Sequence, residues 1–272
     1  MTARFSLWVK KQPLVAFYLL AFAITWLGWV PQALHSRGLF PFDSIVFYIL
    51  DGTGPLLALF IVTAILKGKA DFGELFLPLL QWRVSWVWYV VAFLGFPALW
   101  LAALAWRGEL ATGMGYLQPS FAMLQTFVIA FVAAIPEEMT WRGFTQPRLQ
   151  TRYTALVASL IIGVLWGLWH LPLLLNLDSV MSTYPLPAFF AASVALNVVY
   201  VWIFNSTRGS LLIITLFHAV SNTLGPFAGY EQAAVYALAA AVLVLVFGAA
   251  RLARPAKPLT QQSPAGVTGP SV

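Results

Sequence analysis

The sequence predicts an all-α membrane protein with about eight transmembrane helices in one bundle, on three observations. The 272 residues are 61% hydrophobic and only 9% charged, with a mean hydropathy of +0.83, outside the balance of a soluble domain. The apolar residues fall into runs of roughly 20, the length that crosses a hydrocarbon core. Lys and Arg gather between alternate runs, as the positive-inside rule requires. The net charge of +6 does not point to nucleic acid, because the basic residues lie between apolar spans and not on a soluble face. With no cysteine, disulfides and Cys-ligated metals are excluded.

The first apolar run, about 14–35, follows Lys10 and Lys11 as a signal peptide would, but it is longer than an h-region and reads as a retained span. Spans two and three cover about 45–66 and 85–106. Between them, Asp71 to Arg83 mixes apolar residues, Trp82 and charge, the pattern of a helix lying among headgroups; Pro78 argues against one continuous helix. Further spans follow at about 120–146, 153–175, 186–205, 209–225 and 232–251, the seventh being short. With both termini cytoplasmic, the inner segments hold Arg4, Lys10, Lys11, Lys67, Lys69, Arg83, Arg142, Arg148, Arg152, Arg208, Arg251, Arg254 and Lys257. Arg37 and Arg107 alone remain outside, 13 against 2 of the 15, which sets the orientation and favours an even number of spans. Residues 1–251 read as a single transmembrane domain. Residues 252–272 turn to Pro, Gly, Ser, Thr and Gln, the composition of a disordered cytoplasmic tail. No internal repeat is visible, which disfavours a proton-coupled transporter.

An ionisable side chain inside a span is costly and therefore a functional candidate. Glu137, Glu138 and Arg142 fall in the fourth span, His170 in the fifth, and His218 and Asn222 in the seventh. Adjacent helical residues point about 100° apart, so Glu137 and Glu138 should differ in role. Glu138 precedes Arg142 by four residues, the favourable order for an ion pair, which makes this pair an orienting one. Glu137 shares its face with Ala130, Ala133 and Ala134 and is the freer carboxylate. The midpoint between Glu137 and His170 lies at the expected turn, Tyr153–Thr154, so the two should meet across a hairpin about 20–25 Å from it. Gly163 and Gly167, on the face of His170, should let the fifth span pack against the fourth. His218 and Asn222, four apart, share a face.

Other polar residues carry less. Asp51 interrupts the second span and can line a wet cavity, a structural reading being favoured. Trp166 and Trp169 are read as packing residues, and Asn197 and Tyr200 as interhelical contacts. His35, at a span end, is assigned nothing.

Glu137-Glu138-Met-Thr-Trp-Arg142, Trp166-Gly-Leu-Trp-His170 and His218-Ala-Val-Ser-Asn222 together resemble the three motifs of the CAAX prenyl endopeptidase-like intramembrane proteases, the CPBP family. Trp166 stands where Phe is commoner. The resemblance covers about residues 120–225, which it marks as a catalytic core. It implies peptide-bond hydrolysis in the membrane of a membrane-embedded, lipid-anchored or prenylated protein or peptide. Glu137 and His170 would activate water, and His218 with Asn222 would stabilise the oxyanion. A carboxylate and two imidazoles can also hold zinc. If zinc is bound, the ligands are Glu137, His170 and His218; with no His-Glu-x-x-His helix, the scheme without a cofactor is favoured. A non-catalytic immunity or regulatory protein using the same cavity is the rival reading. The expected location is the cell membrane of a prokaryote, as a multi-pass protein.

Overall fold

The computed structural model describes residues 3–67, 72–224 and 229–253, and among them every regular element is helical. The chain opens with α1 (Ala3–Lys11) and α2 (Pro13–His35), followed by α3 (Ile45–Lys67). Helix α3 runs unbroken through Gly52, Gly54 and Pro55, so Asp51 does not interrupt its span; Gly54 instead lets α3 pack closely on Thr25 of α2. Helix α4 (Phe72–Phe76) passes into a 3-10 turn, Leu77–Leu80, at Pro78. Exposed Phe76, Leu77, Leu80 and Trp82 agree with a segment lying among headgroups, while Asp71 falls outside the described residues.

Helix α5 (Trp86–Arg107) ends at Gly108, whose φ of 74° is left-handed, and leads into a short α6 (Leu110–Tyr116). Helix α7 (Phe121–Glu138) begins at the Ser120 cap and continues as a π-helical turn, Met139–Thr145, into α8 (Gln146–Gln150). Residues 151–154 make the turn expected around Tyr153 and Thr154. Helix α9 (Ala155–Trp169) starts on the Thr154 cap, and α10 (Leu171–Leu175) follows it. The fifth span is therefore not one helix over 153–175. Pro172 has no N–H to continue the ladder, and the His170 carbonyl accepts from Leu173 and Leu174 at the break. Helices α11 (Leu186–Ser206), α12 (Leu211–Thr223) and α13 (Tyr230–Phe247) complete the bundle.

Among the described residues, six helices are long and apolar enough to cross a membrane, and α9 and α12 are shorter apolar helices. Their 15 and 13 residues reach about 22 and 20 Å at 1.5 Å per residue, less than a core of about 30 Å. His170, the C-cap of α9, and His218, on α12, thus belong to helices shorter than the core is thick. Helix α11 is the centre of the bundle: 67% of its apolar window is buried, against 17% for the 121–150 segment.

Gly163 and Gly167 face α11 and not the fourth span. A Cβ on Gly163 would stand 2.8 Å from the Cα of Val194, and one on Gly167 3.0 Å from the Phe190 ring. Helix α7 uses buried Ala130 and Ala134 to pack against α12, whereas Ala133 lines a cavity. Beyond α13 the chain folds back. Ala155 and Leu156, at the open N-terminus of α9, donate to the carbonyls of Ala250 and Ala249, satisfying N–H groups that a helix start leaves orphaned. Leu252 is fully buried, so the packed structure extends past the expected tail boundary. The rest of that tail, 254–272, lies outside the described residues, as does Gly225.

Candidate active site

Pro136 sits in the last turn of α7, and the hydrogen-bond ladder loosens into the π-helical turn three residues later. A π segment of this kind is frequent at functional sites, because it turns consecutive side chains away from the α-helical rotation. Thr140 supports the transition by donating to the Pro136 and Glu137 carbonyls at 2.9 and 2.8 Å. Glu138 is fully buried and turned toward α12, while Glu137 is half-buried and faces open space.

Glu138 is the hub of a buried polar group. Its Oε1 accepts from His218 Nδ1 at 2.7 Å and from Arg142 Nη1 at 3.4 Å; its Oε2 lies 3.3 Å from Arg142 Nε. Arg142 also donates to Asn197 Oδ1 at 3.1 Å, and its guanidinium lies 4.3 Å from the centre of the Tyr200 ring. The Tyr200 hydroxyl meets Ser221 Oγ at 3.2 Å. Asn197 and Tyr200 are interhelical contacts, as expected, and both hold Arg142. The link from Glu138 to His218 is not legible in the sequence, where 80 residues separate them.

Glu137 is less free than its spacing suggests. Its Oε2 accepts from the indole N–H of Trp166 at 2.8 Å and of Trp141 at 3.3 Å. Trp166 is therefore more than packing: its carbonyl also accepts from His170 Nδ1 at 2.8 Å, and its ring stands edge-on to His170 at 4.7 Å. One residue bridges Glu137 and His170, and this is how the two meet. Trp169 does pack, against Trp29 and Trp141.

A carbonyl and a carboxylate can only accept, so both imidazoles must carry a proton on Nδ1. Nε2 is then the nitrogen each leaves for the cavity they share. That cavity, about 310 Å³, is lined by Glu137, His170, His218, Asn222, Ser221, Trp29, Trp166, Trp169 and Tyr184. Asn222 is exposed into it. Tyr184, in the loop before α11, was not singled out by sequence pattern; it lines the cavity, and burial pushes its phenol up to about 12. A second cavity of about 650 Å³ lies between α3 and α7, and Glu137, Trp29 and Trp169 line both. Asp51 opens onto this second cavity, its Oδ2 accepting from Gln32 Nε2 at 2.7 Å. His35 meets the Phe40 carbonyl at 3.1 Å, away from the cavities.

Among the described residues, no three His, Cys, Asp or Glu side chains are grouped as a metal ion requires. Glu137, His170 and His218 share a cavity without forming such a group.

A helical bundle that holds a carboxylate, two imidazoles and an amide around one internal cavity defines a class: an integral membrane protein with a polar site between its spans. Residues 119–224, which contain all three motifs, match the family model described as type II CAAX prenyl endopeptidase Rce1-like. CAAX prenyl protease 2 of Methanococcus maripaludis is 26% identical over 223 residues, covering 76% of this chain and 81% of that relative. The resemblance carried by the motifs is borne out, and both comparisons name proteases.

Proposed function

We propose that the protein is an intramembrane endopeptidase that hydrolyses a peptide bond in a membrane-associated protein or peptide, using Glu137 and His170 to activate water. The observation that carries this reading is the one cavity lined together by Glu137, His170, His218 and Asn222, with Nδ1 of both imidazoles already engaged elsewhere. A water between Glu137 and His170 would lose its proton to this pair as its oxygen attacks the scissile carbonyl carbon. General-base assistance of this type contributes about 10²–10⁴-fold. Glu137 is suited to it because the two indole donors bind Oε2, leaving Oε1 for the water.

The oxyanion would be met by Asn222 Nδ2–H and His218 Nε2–H, an electrostatic contribution of about 10²–10³-fold per donor. His218 already donates from Nδ1, so donating from Nε2 as well requires its protonated form. Glu138 is the counter-charge for that form, and Arg142 holds the Glu138 carboxylate in place. Collapse of the tetrahedral adduct breaks the C–N bond, and the proton held by Glu137 and His170 passes to the leaving amine. The scheme uses no metal.

The relative's name attaches CAAX and prenyl groups to that protein's activity. For this chain we take a prenylated or otherwise lipid-anchored chain terminus as the substrate class, with the protein in a prokaryotic cell membrane and both its termini cytoplasmic. Glu137→Gln tests the reading, since the amide oxygen still accepts from both indoles and the fold is retained. Comparing the termini of membrane proteins by mass spectrometry, in cells carrying wild type or the variant, should show at least 10²-fold less cleavage. Identical termini in the two strains would overturn the assignment.

A further inference from the structure

Away from the candidate active site, two neighbouring cavities lie near the start of α5 and the ends of α11 and α13. They measure about 660 and 340 Å³ and share Gln81 and Arg208 in their walls. Arg251 lines the larger and Arg83 the smaller, and no acidic residue lines either. All three arginines are exposed, and among the described residues none pairs with a carboxylate. The ordinary reading is that these are scattered positive-inside charges, free to point anywhere into water.

The local structure argues for a built site. Gln81 ties the headgroup segment to the α11–α12 turn: its Nε2 donates to the Thr207 carbonyl at 3.0 Å, and its own carbonyl accepts from Ser210 Oγ at 2.8 Å. Arg208 sits in that turn at φ 57°, a left-handed backbone that a non-glycine residue adopts only when its surroundings enforce it. Arg251 is placed by the chain's return onto α9, with its carbonyl accepting from Asn205 Nδ2 at 2.8 Å. Trp82 and Trp86, 60% and 73% exposed, flank Arg83 as interfacial aromatics do, which sets this end of the bundle at headgroup depth.

From this we infer that Arg83, Arg208 and Arg251 bind the phosphate of an anionic phospholipid headgroup in the paired cavities around Gln81. Guanidinium groups match phosphate oxygens in a bidentate way, and the cavities supply charge of one sign at the depth where lipid phosphates lie. The inference stands apart from the protease reading.

The test uses the full chain in detergent micelles, titrated with phosphatidylglycerol, phosphatidylcholine or inorganic phosphate, with bound lipid read by intact-complex mass spectrometry. Phosphatidylglycerol should be retained more tightly than phosphatidylcholine. Each of R83Q, R208Q and R251Q should weaken it on the order of fivefold, while R4Q, on the exposed N-terminal helix, should not. The three side chains are exposed and, among the described residues, in no ion pair, so the singles should fold; if the triple variant does not, the singles carry the result. Equal retention of the two lipids, unchanged binding by the variants, an equal loss in R4Q, or the same occupancy with inorganic phosphate alone would overturn the inference.

Discussion

Glu137 and Glu138 are chemically alike and adjacent, and a rotation of about 100° along the helix gives them different surroundings. One opens onto two cavities under two indole donors; the other is sealed between Arg142 and His218. The same contrast predicts opposite failures on substitution. Glu138→Ala leaves the Arg142 guanidinium, 1% exposed, without its counter-charge, and breaking a buried pair in this way costs about 3–5 kcal/mol. A large fall in melting temperature should accompany its loss of activity. Asn222→Ala removes an exposed side chain that makes no hydrogen bond among the described residues. Its kcat should fall about 10²–10³-fold with the melting temperature unchanged; a fall in melting temperature would move Asn222 from chemistry to packing.

Helix α9 shows what an element contributes. The small residues at 163 and 167 were legible as a close-packing face, but their partner was not. Spacing along one chain says which side of a helix is thin, not which neighbour uses it, and sequence proximity had favoured α7. The neighbour is α11, the buried centre of the bundle. Gly163→Val would drive its side chain into the Val194 backbone and is expected to destabilise by about 1–3 kcal/mol, read as a lower melting temperature in detergent. Gly95→Ala, whose Cβ would meet the Phe217 ring at 3.3 Å, is the milder control. The break at His170 belongs to this scale as well. Pro172 was visible in the sequence, yet an apolar run of 23 residues, 153–175, matched one span too well for the break to be read.

For the whole molecule, the absence of cysteine makes orientation directly testable. Single Arg107→Cys should react with a membrane-impermeant thiol reagent from outside intact cells, whereas Thr151→Cys should react only after lysis; the reverse pattern would invert the bundle. Sequence alone determined that the chain lies in lipid, roughly where its apolar helices fall, and which side chains are too costly to be there without a use. These follow from composition and from a hydrocarbon layer of fixed thickness, both of which act on each segment separately. Only the tertiary structure decided the pairing of Glu138 with His218, the bridge from Glu137 to His170 through Trp166, and the seating of α9 on α11. Those contacts join residues up to 80 positions apart, and in a lipid interior, where apolar faces are nearly interchangeable, close packing and polar partnership select the neighbours.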